Sequence, residues 1–145
     1  MIKIKIVSVG KTRELWLEQA LAEYFKRLQK TILFECIWAK EDAHLLALVE
    51  KEEHLVCLDP AGKMMTSEEF ASFFGSYMQE TGSRMCFVIG GAEGLPPALK
   101  RRSKNQLLSL SSMTFTHQLT RLILIEQIYR AMEILKGSKY HKGNA

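Results

Sequence analysis

Four side chains near the end of the sequence are of types that move protons or hold anions. His117 and Arg121 lie four residues apart, so on a helix they share one face, and Tyr140 and His141 are adjacent in a basic tail. An imidazole can act as a general base near neutral pH, and a guanidinium can neutralise developing negative charge. The functional interpretation of Tyr140 and His141 is a segment that binds phosphate, stacks on a base or handles protons. On pattern alone, however, a histidine at a helix start is more often a cap or hydrogen-bond partner, and a basic tail is often disordered.

Three predicted strand ends are rich in glycine or small polar residues, at positions 58–62, 89–94 and 110–115. In open parallel sheets, ligands bind outside the carboxyl ends of the strands. If the three ends converge, they form a pocket of backbone donors and acceptors that can read the edge of an adenine. Each segment alone is weak evidence, because turns contain such residues anyway.

Two familiar nucleotide-binding motifs are incomplete in this chain. The run Gly10-Lys11-Thr12 resembles the end of a phosphate-binding loop, but Lys5 stands where the first glycine is required. Residues 90–94 do not follow the dinucleotide pattern of glycines. Neither ATP hydrolysis nor NAD binding is therefore favoured.

The apolar periodicity predicts alternating strands and helices, and hence an α/β fold with a mainly parallel sheet and helices on both faces. The predicted strands are 2–9, 31–38, 54–58, 84–89 and 107–110. The predicted helices are 14–28, 42–53 with Asp42 as N-cap, 66 to about 82 with a capping box, 97 to about 104, and 117–136.

The last predicted helix is apolar around most of its circumference, which indicates burial on nearly all sides. In a chain of 145 residues, its second face is expected to meet another subunit, giving a homodimer. The alternative is a central helix within a monomer.

Composition predicts one globular domain over residues 1–145, with 47% apolar and 25% charged residues. No apolar run approaches the roughly 20 residues of a membrane span, and the start of the chain alternates unlike a signal peptide. Cys36, Cys57 and Cys86 are odd in number and lie in apolar runs, which favours reduced thiols in a cytoplasmic protein. We expect no metal and no membrane partner.

Positive charge is concentrated in the last third of the chain. Residues 96–145 hold nine Lys/Arg against two Glu, whereas residues 1–95 hold eleven Lys/Arg against fourteen Asp/Glu. This asymmetry favours a polyanion partner, although a solvated basic surface explains it about as well.

The chain resembles the RlmH-type SPOUT methyltransferases, which methylate N3 of a pseudouridine in bacterial 23S ribosomal RNA. The motifs that carry the resemblance are Val9-Gly10-Lys11, Leu58-Asp59-x-x-Gly62-Lys63, Ile89-Gly90-Gly91-x-x-Gly94-Leu95, Leu110-Ser111-Ser112-Met113-Thr114-Phe115, His117-Gln118-Leu119-x-Arg121, the run 124–131, and Tyr140-His141. Thr116 stands where the family often has proline, and the segment between Trp38 and Glu50 is short for the family.

The resemblance implies a C-terminal trefoil knot, a homodimer, and S-adenosyl-L-methionine as cofactor. It implies substrate RNA in the large subunit or the 70S ribosome. The implied cofactor-binding residues are Leu58, Gly90, Gly91, Leu110, Ser111, Ser112, Met113, Thr114 and Phe115, and the implied catalytic residues are His117, Arg121, Tyr140 and His141. Alternatives are a non-catalytic ribosome- or RNA-binding dimer, and an enzyme of this class acting on a different rRNA or tRNA nucleotide.

Overall fold

A computed structural model of the chain describes residues 1–10, 14–103 and 106–143. Its five strands form one parallel sheet in the order β2-β1-β4-β3-β5. The strands are β1 (Ile2–Val9), β2 (Ile32–Ala39), β3 (Leu55–Met64), β4 (Arg84–Ile89) and β5 (Leu107–Ser109). The helices are α1 (Leu15–Leu28), α2 (Asp42–Val49), α3 (Ser67–Glu80), α4 (Pro97–Arg102), α5 (His117–Leu135) and α6 (Tyr140–Gly143).

Helices cover both faces of the sheet, as the alternating pattern predicted. Along β4, Met85, Phe87 and Ile89 pack in one apolar core with α1, α3 and α5. Cys86 and Val88 pack in the second core with α2 and α4. Successive strand residues point to opposite faces, so a strand buried on both sides must be apolar at every position.

Helix α5 lies between α1 and α3 on one face of the sheet. Leu124, Ile125 and Ile128 are completely buried there. Its wide apolar surface is therefore used in part within the protomer. Leu119 and Leu135, near its two ends, remain 39% and 51% exposed, and contact with a second subunit stays a prediction.

Strand β3 continues through the segment that the sequence predicted to be a terminating turn, so that expectation was wrong. The pairing of β3 with β5 shifts register between Leu58 and Lys63, which makes residues 59–62 a bulge. The bulge brings Gly62 against β5, where a Cβ would lie 2.7 Å from the carbonyl carbon of Leu107. Glycine at this position lets the two backbones approach.

Helix α2 and the tail also differ from the predictions. Helix α2 ends at Val49, and its N-cap is Glu41 rather than Asp42, since the Glu41 carboxylate accepts from the His44 amide at 2.9 Å. The tail forms the short helix α6 instead of a disordered segment. Lys11 of the first family motif and Lys104, the predicted end of α4, lie outside the described residues.

Other expectations hold. Thr66 and Glu69 form the predicted capping box of α3, and Gly137, with φ of +75°, follows the end of α5. The three cysteines are free thiols, with Cys57 and Cys86 buried. Among the described residues, no helix is both long and apolar enough to cross a bilayer.

Candidate active site

A cavity of about 560 Å³ opens at the carboxyl ends of β3, β4 and β5. Its walls come from the three strand ends that the sequence had singled out, and the start of α5 and Lys100 of α4 complete it. Of the nine predicted cofactor-binding residues, eight line this cavity, and only Ser112 does not. The lining members are Leu58, Gly90, Gly91, Leu110, Ser111, Met113, Thr114 and Phe115.

The glycine-rich wall is a tight turn after β4. The Gly94 amide donates to the Gly91 carbonyl at 3.0 Å, and Gly94 has φ of +86°. A Cβ on Gly90 would lie 2.5 Å from the Gly94 carbonyl group. The absence of a side chain at Gly90 is therefore required by the turn itself, because the close approach is to the chain's own backbone.

The wall that follows β5 is held by two serine side chains. The Ser109 hydroxyl donates to the Ser111 carbonyl at 2.8 Å, and the Ser111 hydroxyl accepts from the Met113 amide at 3.0 Å. These local bonds fix the loop from the last residue of β5 onward. The side chain of Met113, which is 73% exposed, extends from the loop.

The third wall contains an ion pair that sequence reasoning did not single out. Asp59 is 5% exposed, and its Oδ1 lies 3.3 Å from Nζ of Lys100. Its Oδ2 accepts from the Ala61 amide at 3.0 Å. The available signal was an acidic residue directly after a buried strand, at a sheet edge where ligands bind.

His117 lines the cavity as the first residue of α5. It does not cap the helix, because the Thr116 hydroxyl accepts from the Leu119 amide at 3.2 Å. Thr116, the departure from the family pattern, therefore supplies the N-cap. A Cβ on Gly10 would lie 3.0 Å from Cε1 of the His117 ring.

The protonation state of His117 follows from its surroundings. Burial lowers its pKa below the usual 6.5, and the neighbouring Arg121 charge lowers it further. Its Nδ1 has no hydrogen-bond partner among the described residues. The imidazole is therefore neutral at pH 7 and able to accept a proton.

Arg121 is completely buried and is not among the residues that line the cavity. Its Nη2 donates to Oγ of Ser8 at 2.9 Å and to the Gly10 carbonyl at 3.2 Å, and its guanidinium lies 3.9 Å from the centre of the Trp38 ring. Burial lowers its pKa to about 10, so it remains charged at neutral pH. Arg121 thus holds the carbonyl of Gly10, the residue that packs against the His117 ring.

Tyr140 is held against α5, outside the cavity lining. Its hydroxyl donates to Oε2 of Glu126 at 3.1 Å, and its ring meets Tyr129 edge-on at 4.8 Å between centroids. Glu126 follows His117 by nine residues, which is about 14 Å along the helix axis. Tyr140 is therefore separated from the candidate base of its own protomer.

His141 is held in the same region, between α5 and α3. Its Nδ1 accepts from Nη1 of Arg130 at 2.9 Å, and its Nε2 donates to Oε1 of Glu68 at 2.5 Å. It also does not line the cavity. The structure thus places His117 at the cavity, Arg121 behind it, and the two tail candidates elsewhere.

The chain matches a family model described as "Predicted SPOUT methyltransferase" over residues 2–141. It belongs to the SPOUT methyltransferase family. A protein named ribosomal RNA large subunit methyltransferase H from Protochlamydia amoebophila is 58% identical over 142 residues, covering 98% of this chain and 100% of the relative. A protein of the same name from Bacillus pumilus is 39% identical over 160 residues, covering 97% and 100%.

Two solved structures share the fold of this chain. One, from Bacillus anthracis and described as an RNA methyltransferase, has a TM-score of 0.52 at 12% identity and covers 88% of this chain and 93% of that chain. The other is from Legionella pneumophila, is described as a methyltransferase in complex with SAM, and has a TM-score of 0.50 at 11% identity with 90% and 66% covered. At these identities the likeness concerns the fold.

Within this SPOUT chain, the described residues contain no group of three or more His, Cys, Asp or Glu side chains that could hold a metal ion. The cavity lining presents backbone groups, several hydroxyl side chains, the Asp59–Lys100 pair, Glu93 and the neutral His117 imidazole.

Proposed function

We propose that this chain is an S-adenosyl-L-methionine-dependent methyltransferase that methylates N3 of a pseudouridine in 23S ribosomal RNA. The large-subunit RNA target comes from the relatives, which carry the name ribosomal RNA large subunit methyltransferase H and match over their full length. N3 of a pseudouridine is the position that the resemblance to the RlmH type implies. The observation that carries the activity is the cavity at the strand carboxyl ends, where eight predicted cofactor-binding residues meet.

The cavity suits S-adenosylmethionine. Its volume of about 560 Å³ lies within the range of small-molecule and cofactor sites. Leu58, Gly90 and the loop after β5 would hold the adenosyl group with backbone donors and acceptors, and Ser112 would support that loop from outside the cavity. The bound cofactor supplies an activated methyl group, so the protein mainly positions the reactants.

The residues of the chain must remove the N3 proton of the pseudouridine at or before methyl transfer. His117 faces the cavity and is neutral at pH 7, so it is the candidate general base within the protomer. Arg121 acts behind it: it holds the Gly10 carbonyl beside the His117 ring, and its positive charge disfavours a resting imidazolium.

The tail candidates require a second chain if they are to act in catalysis. Tyr140 and His141 are bonded to α5 and α3, away from their own cavity. We propose a homodimer in which they serve the partner's cavity. Leu15, Trp16 and Leu119 are 68%, 55% and 39% exposed, and they lie near the beginnings of the packed helices α1 and α5, where a second copy would cover them.

We also propose that residues 1–145 form a single domain. Within it we propose a C-terminal trefoil knot. From β5, at the edge of the sheet, the chain crosses the ends of β3 and β4 to reach α5 in the middle of the helix layer. This crossing is the segment that would pass through the knot.

RNA would approach from the basic side of the cavity. Arg101 is exposed on α4, whereas its neighbour Arg102 donates hydrogen bonds to the carbonyl oxygens of Val49 and Glu52. Lys139 and Lys142 are exposed on the tail. Such cations would contact phosphates of the large subunit or 70S ribosome, in the cytoplasm.

Mass mapping of 23S rRNA tests the proposal. In a bacterial strain that lacks this activity, expression of the chain should restore N3-methylpseudouridine, and expression of a cavity variant should not. Methylation at a different rRNA or tRNA nucleotide would favour the other SPOUT target. Ribosome binding without any methylation would favour the non-catalytic dimer.

A further inference from the structure

The Asp59–Lys100 pair is a charged feature of the cavity that binding of an adenosyl group does not use. Both residues line the cavity. The side chain of Asp59 is 4% exposed, and that of Lys100 is 44% exposed. The remaining titratable lining groups are Glu93, which is exposed, and His117, which is neutral at pH 7.

The two members of the pair differ in how firmly they are held. Oδ2 of Asp59 is fixed by the Ala61 amide, so the carboxylate keeps its position in the wall. Lys100 is on the short helix α4 and is half exposed, so its ammonium can move into solvent. A buried carboxylate needs a cationic partner at all times, but that partner need not be Lys100.

We propose that Asp59 and Lys100 form the subsite for the amino-acid end of S-adenosylmethionine. The ligand's ammonium replaces Nζ of Lys100 on Oδ1 of Asp59, and the released Lys100 pairs with the ligand's carboxylate. One ion pair becomes two, and no charge is left unpaired in the wall. This assignment rests on the proposed function, since it concerns the same cavity and cofactor.

The alternative role of the pair is to fasten the β3 bulge to α4, which would shape the whole cavity without touching the ligand. The two roles differ in ligand selectivity. A subsite matters only for ligands that carry the amino-acid charges, whereas a structural fastening matters equally for every adenosyl ligand.

Calorimetry with three ligands separates these roles. S-adenosylmethionine carries both charges of the amino-acid end, its decarboxylated analogue keeps the ammonium and the sulfonium, and 5′-methylthioadenosine carries none of these charges. S-adenosylhomocysteine, a thioether that keeps both amino-acid charges, is the control for the sulfonium and should respond to each variant as S-adenosylmethionine does. Asp59→Asn should weaken the first two ligands about 10- to 100-fold and the third less than about 3-fold, the range expected for losing one charge-assisted hydrogen bond. Lys100→Met should weaken S-adenosylmethionine alone among the three, by about 10-fold. Arg101→Met, which removes the neighbouring charge on α4 outside the cavity, is the matched control and should change none.

If the Asp59 and Lys100 variants lose affinity equally for all three ligands, or lose affinity for none, the proposed subsite is refuted. If Asp59→Asn does not fold, Lys100→Met decides by the same selectivity, because its side chain is half exposed. If the wild-type chain binds none of the three ligands, the proposed cofactor is wrong. If it binds S-adenosylmethionine and 5′-methylthioadenosine equally well, the cofactor stands and the subsite is refuted.

Discussion

Two cavities of similar size lie at opposite ends of the strands of one sheet, and their linings present different chemical groups. The cavity at the carboxyl ends measures about 560 Å³, and the one at the amino ends measures about 670 Å³. The first is lined by glycine- and serine-rich loops. The second is lined by the first residues of β1, β2 and β4 and by residues 51–54.

The amino-end cavity contains a central ion pair. Lys5 pairs with Glu52 and lies 4.0 Å from Glu35. Burial raises the pKa of its one thiol, Cys86, to about 12, which leaves it protonated and unreactive at neutral pH. The carboxyl-end cavity instead presents a neutral imidazole and a backbone held open by glycines. Cavity volume alone would favour the amino-end cavity, whereas the lining residues favour the carboxyl-end cavity as the proposed cofactor site.

The largest expected effect comes from adding a side chain at Gly90. Gly90→Val places atoms within 2.5 Å of the Gly94 carbonyl group, so the turn that forms one cavity wall must move. We expect at least about 100-fold weaker binding of S-adenosylmethionine, equivalent to roughly 3 kcal/mol. Gly91→Ala, whose Cβ would meet only the Val9 side chain at 3.2 Å, should cost less than about 10-fold. Calorimetry measures both, and equal affinities for the two variants would remove the turn from the cofactor site.

The next largest effect concerns the base. His117→Ala should lower kcat by about 100-fold, the lower end for loss of general base catalysis, while S-adenosylmethionine binding changes little. Because burial lowers the pKa of His117, the wild-type rate should fall with decreasing pH at a midpoint below the usual 6.5. His44→Ala, on α2 at the opposite face of the sheet, is the control. If the His117→Ala variant shows the same loss of rate at acid pH as the wild type, another residue is the general base.

A smaller effect is expected from the tail. His141→Ala should reduce kcat by about 10-fold and leave cofactor binding unchanged, because His141 does not line its own cavity. Mixed dimers test whether the tail acts on the partner. Combining Gly90→Val chains with His141→Ala chains should recover activity, since one cavity is then intact and is served by an intact tail. If mixing recovers none, the tail does not act across a dimer.

The smallest effect belongs to the amino-end cavity. The double variant Lys5→Met with Glu52→Gln removes both charges of its central pair, so that neither is left alone. Cofactor affinity and methylation should each change less than about 2-fold, within the usual scatter of distant substitutions. A loss comparable to that of Gly90→Val would mean that the two edges are coupled.

Most strands and helices could be predicted from the sequence because their local residue preferences agree with the α/β pattern of the whole chain. The bounds of β1 and β4, the capping box at Thr66 and the convergence of three strand ends all follow from periodicity and from the geometry of parallel sheets. The bulge at residues 59–62 could not be predicted, because a Pro–Gly turn signal and a bulge use the same residue types, and only the β5 backbone beside Gly62 decides between them.

The positions of the candidate site residues were predicted less completely, because the sequence does not show which tertiary contacts each side chain makes. Spacing puts His117 and Arg121 on one face of a helix, yet their depths differ: the ring of His117 reaches the cavity, while Arg121 is buried on Trp38. Nothing in the sequence indicates that Tyr140 contacts Glu126 and His141 contacts Glu68, rather than both lining the cavity. Such contacts depend on how the chain turns at Gly137.

A crystal structure of the chain with S-adenosylhomocysteine would test the central claim most directly. We predict electron density for the adenosyl group in the carboxyl-end cavity, with the adenine against the backbone of Leu58, Gly90 and the loop after β5. Density in the amino-end cavity, or an empty carboxyl-end cavity at saturating ligand, would contradict the account.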